Sequence, residues 1–150
     1  MSAILTIGHS TRSIEEFINL LQANGVEQLI DVRSVPRSRR VPQFNREILP
    51  DSQNTAWRNA SFRGYADYMQ TAEFGAAVEK LIELGRTRQV AIMCAEAVPW
   101  RCHRSLVGDA LTARGMAVED IVGAGRRHLH KVTPFAKIEG ARVWYPGLTD

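Results

Sequence analysis

Lysine and cysteine are scarce in this chain of 150 residues: three lysines stand against sixteen arginines, and there are two cysteines. With so few cysteines and no export signal, a disulfide framework is excluded and a reducing, cytoplasmic setting is expected. The cysteines then serve as thiols, metal ligands or redox groups. No apolar run approaches the roughly 18 residues of a membrane span, so no membrane partner is expected. No basic segment precedes the first apolar stretch, residues 3–8, which reads as a strand and not as a signal peptide. Repeats, low-complexity tracts and linker-like segments are missing too, which leaves one domain over residues 1–150.

What is present is an ordinary globular composition, 45% hydrophobic and 23% charged, with a net charge of +3. The positive charge is almost all arginine. Guanidinium forks suit bidentate contact with phosphate or carboxylate, so an anionic small molecule or a nucleic acid fits as a partner. Surface ion pairs would use the same residues. The composition does not name a cofactor or an oligomeric state.

Taken in order, residues 3–8 predict a first strand. Ser13 and Glu16 form a capping box, and Ile14, Phe17, Ile18 and Leu21 give the apolar face of a helix that ends at Asn24 and Gly25. Residues 28–33 predict a second strand, residues 37–44 a basic, proline-punctuated loop and residues 45–59 irregular chain. A short helix is expected at residues 65–69. A longer one at residues 73–84 buries Phe74, Ala77, Val78 and Leu81 and stops at Gly85. Residues 89–93 are β-branched and too short for a helix, so they predict a buried strand. The helix after it places Leu106, Ala110 and Leu111 on one face and closes at Arg114 and Gly115. Residues 118–122 predict a short last strand, and residues 128–150 show little periodicity. Strands alternating with helices give an α/β domain with a mostly parallel sheet and helices on both faces, a Rossmann-like three-layer arrangement.

Three of these strands end on polar residues: Gly8 before His9 and Ser10, Asp31 before Arg33, and Cys94 before Glu96. In a parallel sheet those ends share one edge, where loops and helix N-termini form ligand crevices. His9 and Glu96 are candidates for proton transfer, and Cys94 or Cys102 for a reactive thiol. Ser10, Asp31, Arg33, Arg37, Ser38, Trp100, His103 and Arg104 are candidate substrate contacts. Asp31 and Glu96 would equally serve to orient the arginines through buried ion pairs. Cys102, at the expected start of a helix beside Arg101, His103 and Arg104, is either a thiolate stabilised by positive charge or a small core residue.

The run from Cys94 to Arg101 shares its arrangement, a cysteine opening a loop and an arginine entering a helix, with the anion cradles of cysteine phosphatases and rhodaneses. Six residues separate the two where phosphatases use five, and Glu96 would repel a phosphate, so the likeness is one of arrangement. Cys94, Cys102, His103 and His9 match no common structural zinc spacing, so no metal is expected. Trp57, Tyr65, Tyr68 and Trp100 suit either stacking on a base or core packing. His128 and His130, near Arg126 and Arg127, read as solvated surface.

Together these motifs resemble the domain of unknown function 488 family. The matching stretches are TIGHS at residues 6–10, DVR at 31–33, PRSR at 36–39, FRGYADYM at 62–69, MCAE at 93–96, PWRCHRS at 99–105 and TPF at 133–135. The resemblance runs from one end of the chain to the other. It implies a compact cytoplasmic α/β domain, found mostly in bacteria and archaea, without a settled activity. The family's motif positions correspond to His9, Ser10, Asp31, Arg33, Arg37, Ser38, Cys94, Glu96, Cys102, His103 and Arg104. Relatives usually carry a longer segment between the PQF at 42–44 and the WRN at 57–59, so a shortened or omitted loop is expected near residues 48–54. The function expected is that of an enzyme acting on a nucleotide or nucleic-acid phosphate, or else of a non-enzymatic nucleic-acid or protein-binding module with structural cysteines.

Overall fold

The computed structural model describes residues 3–8, 12–31, 52–57, 60–94 and 104–147. The first strand, β1 (Ile4–Gly8), is buried along its whole length. It leads into α1 (Ile14–Ala23), whose N-cap Ser13 accepts a hydrogen bond from the Glu16 amide at 3.1 Å, as the capping box requires. Asn24 caps the other end, and Gly25 takes φ +68°, a conformation costly for any side chain. The next strand, β2, covers Gln28–Asp31. After it come α2 (Ala60–Tyr68), α3 (Ala72–Thr87), β3 (Val90–Cys94), α4 (Arg104–Ala113) and β4 (Val118–Gly123).

The strands form a five-stranded sheet in the order β2-β3-β1-β4-β5, parallel except for the antiparallel edge strand β5 (Arg126–Leu129). This order explains where the helices go. The crossover from β1 to β2 runs in one direction across the sheet, and that from β3 to β4 runs in the other. Because parallel crossovers are right-handed, the two connections must lie on opposite faces. Side-chain alternation along β1 agrees. Leu5 and Ile7 pack with Ala91, Ile121, Phe17, Leu20 and Leu21, the α1 side. Ile4 packs with Val90, Ile92 and Val118 against buried residues of α2, α3 and α4. The described residues thus have an α/β fold with a mostly parallel central sheet.

Four expectations are corrected. The buried side of α1 is Phe17, while Ile14 is 75% and Ile18 45% exposed, since the helix meets the sheet over a narrower stripe than its apolar content suggests. Gly85 does not stop α3, which continues to Thr87. A Cβ at Gly85 would lie 3.2 Å from the Ile4 side chain, so the glycine serves close approach of helix to strand. The short helix begins at Ala60, not at residue 65.

The fourth correction concerns the last quarter of the chain. Residues 118–122 are not the last strand: β5 pairs with β4, and β6 (Lys137–Glu139) and β7 (Arg142–Trp144) form a separate two-stranded sheet. These strands are short, and β5 and β6 are exposed throughout, so no period-2 burial pattern marks them. Arg127 holds β5 in place by pairing with Glu119 at 3.2 Å and donating to the Asn24 carbonyl at 2.8 Å. The hairpin turns at Gly140, with φ +59°, and delivers Val143 and Tyr145 into the core.

Candidate functional site

Register brings the strand ends together. Gly8 is the partner of Cys94 and Asp31 of Met93, so β1, β2 and β3 finish at one edge of the sheet. Between β1 and β3 the connections leave toward opposite faces, which makes this the topological switch point, the place where open α/β sheets form a ligand crevice.

Two arginines attend that point. Arg12, just before the α1 cap, donates from Nη1 to the Gly8 carbonyl. Arg104, the first residue of α4, is only 1% exposed. Its Nη1 donates to Thr6 Oγ1 at 3.4 Å, and Thr6 in turn donates to Asp120 Oδ1. Thr6 and Asp120 are register partners on β1 and β4, so the sheet itself sets this polar relay under the N-terminus of α4. Burial pulls the Arg104 pKa below the ordinary guanidinium range, down to about 10; Asp120 draws it upward and Arg12 pushes it down. The guanidinium therefore stays charged at neutral pH. Arg12 thus brings positive charge to the Gly8 end of β1, while the Arg104 charge lies deeper, at the middle of the strand and toward Asp120.

A second polar cluster ties α4 to the end of the chain. Asp109 is fully buried; Oδ1 meets His130 Nε2 at 2.8 Å and accepts from the Thr133 amide at 3.1 Å, and Oδ2 accepts from the Tyr145 hydroxyl at 2.8 Å. His130 is thus core, correcting the surface reading, while His128 is exposed. Burial, then Asp109, raises the Tyr145 hydroxyl well above the ordinary tyrosine pKa. The Tyr145 amide donates to Asn54 Oδ1 at 2.8 Å, and Asn54 Nδ2 donates to buried Asp67 at 2.7 Å. The aromatic residues around it resolve as core packing: Trp57 meets Phe62 and Phe135, each at 4.9 Å, and Tyr145 at 5.4 Å, all edge-on. Tyr65 is 1% exposed within the same core.

Of the residues the sequence nominated, Arg104 is the one whose side chain lies among the described residues. Asp31 and Cys94 are placed by their backbone, at the ends of β2 and β3. His9, Ser10, Arg33, Arg37, Ser38, Glu96, Trp100, Cys102 and His103 lie outside the described residues. The structure adds residues that sequence reasoning passed over: Arg12, Thr6, Asp120, Asp109 and Tyr145. A threonine in the middle of an apolar strand and an aspartate inside β4 were visible, but their partnership depends on register, which the sequence leaves open.

One cleft among the described residues, of about 520 Å³, lies elsewhere. Among the described residues its lining includes Asn54, Asp67, Gln70, Gly75, Arg114 and Arg142, and not Gly8, Arg12 or Arg104. No helix among the described residues is long and apolar enough to cross a membrane.

The family model described as Domain of unknown function DUF488 matches residues 13–57 and 50–111, more than half of the chain. No curated protein and no solved structure matches it.

Proposed function

The chain belongs to the family of the domain of unknown function DUF488, and from that premise we propose that it is an enzyme acting on an anionic substrate of the nucleotide or nucleic-acid phosphate class. The observation that carries this reading is the switch point between Gly8 and Cys94, with the Arg12 guanidinium on the Gly8 carbonyl and that of Arg104 behind it, at Thr6. In this reading the sheet is a Rossmann-like three-layer scaffold. Arg12, Arg33 and Arg37 clamp the anion, with Ser10, Asp31, Ser38, Trp100 and His103 completing the contacts. Arg104 supplies positive charge from beneath. His9 and Glu96 move protons, and Cys94 or Cys102 acts as the thiol. The setting is cytoplasmic.

Calorimetric titration with a nucleoside monophosphate and with a short single-stranded oligonucleotide, at two salt concentrations, tests it. Saturable nucleotide binding that weakens about tenfold or more in Arg12→Gln and in Arg33→Ala supports the reading, since a charge-assisted hydrogen bond contributes about 1.5–3 kcal/mol. Binding of the oligonucleotide alone, with the constant falling by about 10³ or more between 50 and 200 mM salt, would assign the chain to nucleic-acid binding instead. Binding of neither overturns both.

A further inference from the structure

The cleft lined by Arg114 and Arg142 stands apart from the strand-end residues, and its chemistry differs from theirs. Its carboxylate, Asp67, is taken up by hydrogen bonds from Ser52 and Asn54, each at 2.7 Å. The Arg142 guanidinium lies 4.2 Å from the centroid of the Trp144 ring, and it donates to the side-chain amide oxygens of Gln70, at 3.4 Å, and Gln53. Those partners orient the guanidinium without neutralising it. Arg114 meets Glu79 through Nε at 3.1 Å, and Glu79 is 65% exposed, so that pair is weakened by solvent. The other edge of Arg114 faces Gly75, where an added Cβ would stand 3.6 Å from Nη2. Both residues line the cleft. Nη1 bonds the Ala110 carbonyl at 3.5 Å, and the glycine leaves room beside Nη2 for whatever occupies the space.

We propose that this cleft is a second ligand site, taking a small organic oxyanion whose phosphate or carboxylate is gripped by Arg114 and Arg142. About 520 Å³ falls in the range of sites that enclose a small organic molecule, and exceeds what an inorganic ion needs. Gln53, held by Arg142, supplies an amide group at the wall for the rest of such a ligand, while Gln70, whose Nε2 donates to the Ala66 and Val143 carbonyls, fixes the Arg142 guanidinium. The site does not depend on the strand-end reading.

The test uses the full chain, with glycerol phosphate and succinate as probes, read by calorimetry and by amide chemical shifts. At least one probe binds, with shifts at residues 70–75 and 141–142, and Arg142→Gln and Arg114→Gln each weaken it about tenfold. Arg142 is exposed, so its substitution leaves the core intact. Gly75→Met, which puts a side chain into the cleft, abolishes binding with an unfolding midpoint no lower than the parent's, since α3 loses a glycine. Arg12→Gln leaves it untouched. If neither probe binds, or if binding is lost in Arg12→Gln and retained in Arg142→Gln, the cleft is not a site; the second pattern would leave the strand-end proposal standing alone.

Discussion

The His130 ring lies against Gly108, so closely that a Cβ on the glycine would stand 2.9 Å from the imidazole. A glycine in the middle of α4 costs helix stability, about 1 kcal/mol relative to alanine. Here it admits the ring that meets Asp109 one residue further on. Gly108→Ala gains the propensity and displaces His130 from a buried, charge-assisted contact. Overpacking costs about 1–3 kcal/mol and the contact about 1.5–3 kcal/mol, so the clash outweighs the gain. Urea denaturation should show a net loss of about 1.5–5 kcal/mol. An alanine variant as stable as the parent would mean the ring can move freely, and the packing argument would fall.

Tyr145 makes alkaline stability a test of the same cluster. Its hydroxyl is raised by burial and by Asp109, while in the unfolded chain a tyrosine ionises near about 10. A group whose pKa is raised on folding contributes stability that is complete below the unfolded pKa and lost as pH climbs above it. Above about pH 10 the loss is about 1.4 kcal/mol per pH unit from this group. Tyr145→Phe should remove that increment and cost about 1–2 kcal/mol at neutral pH, because Asp109 loses a donor. The two proteins' urea midpoints, compared from about pH 8 to about pH 11, should converge as pH rises. Parallel curves would refute the assignment.

Arg104 and Asp120 form the other buried charge relation, through Thr6. Asp120→Asn removes a negative charge that Arg104 faces across Thr6, and breaking such a buried charge relation typically costs about 3–5 kcal/mol. The double variant Arg104→Met with Asp120→Asn should lose less than the single one, because the buried positive charge leaves together with the negative one. With the Arg104 pKa about 10, the guanidinium is charged in both folded and unfolded chains at lower pH, so its burial penalty stays constant there and is relieved only above about 10. Denaturation of all three proteins at pH 7 decides it; a double variant less stable than Asp120→Asn would count against the charge argument.

The local signals in the sequence were sound where one element decides the outcome. Ser13 with Glu16, the Asn24–Gly25 stop and the apolar run of β3 needed no tertiary context. What stayed hidden depends on partners far along the chain. Gly85 and Gly108 look like helix breakers until Ile4 and His130 are seen pressing on them. Asp109 looks like a solvated helical carboxylate, and only the return of residues 130–145 buries it. The hairpin of β6 and β7 has strands of three residues, too short to show alternation. The shared edge of the strand ends was legible from the α/β alternation alone, whereas the arginine that bonds to Gly8 was not.

Cys94 stands beside Gly8 in the register of β1 and β3, and Arg12 sits on the Gly8 carbonyl. Positive charge at a strand end stabilises a thiolate, so Cys94 should be alkylated at neutral pH several-fold faster than a free cysteine, whose pKa is about 8.5. The rate, followed for Cys94 and Cys102 separately by mass spectrometry across pH, should drop toward that of a free thiol in Arg12→Gln. Reaction of Cys102 in place of Cys94 would move the thiol role to Cys102. Silence of both until the protein unfolds would remove nucleophilic chemistry and leave the crevice to His9, Glu96 and the arginines.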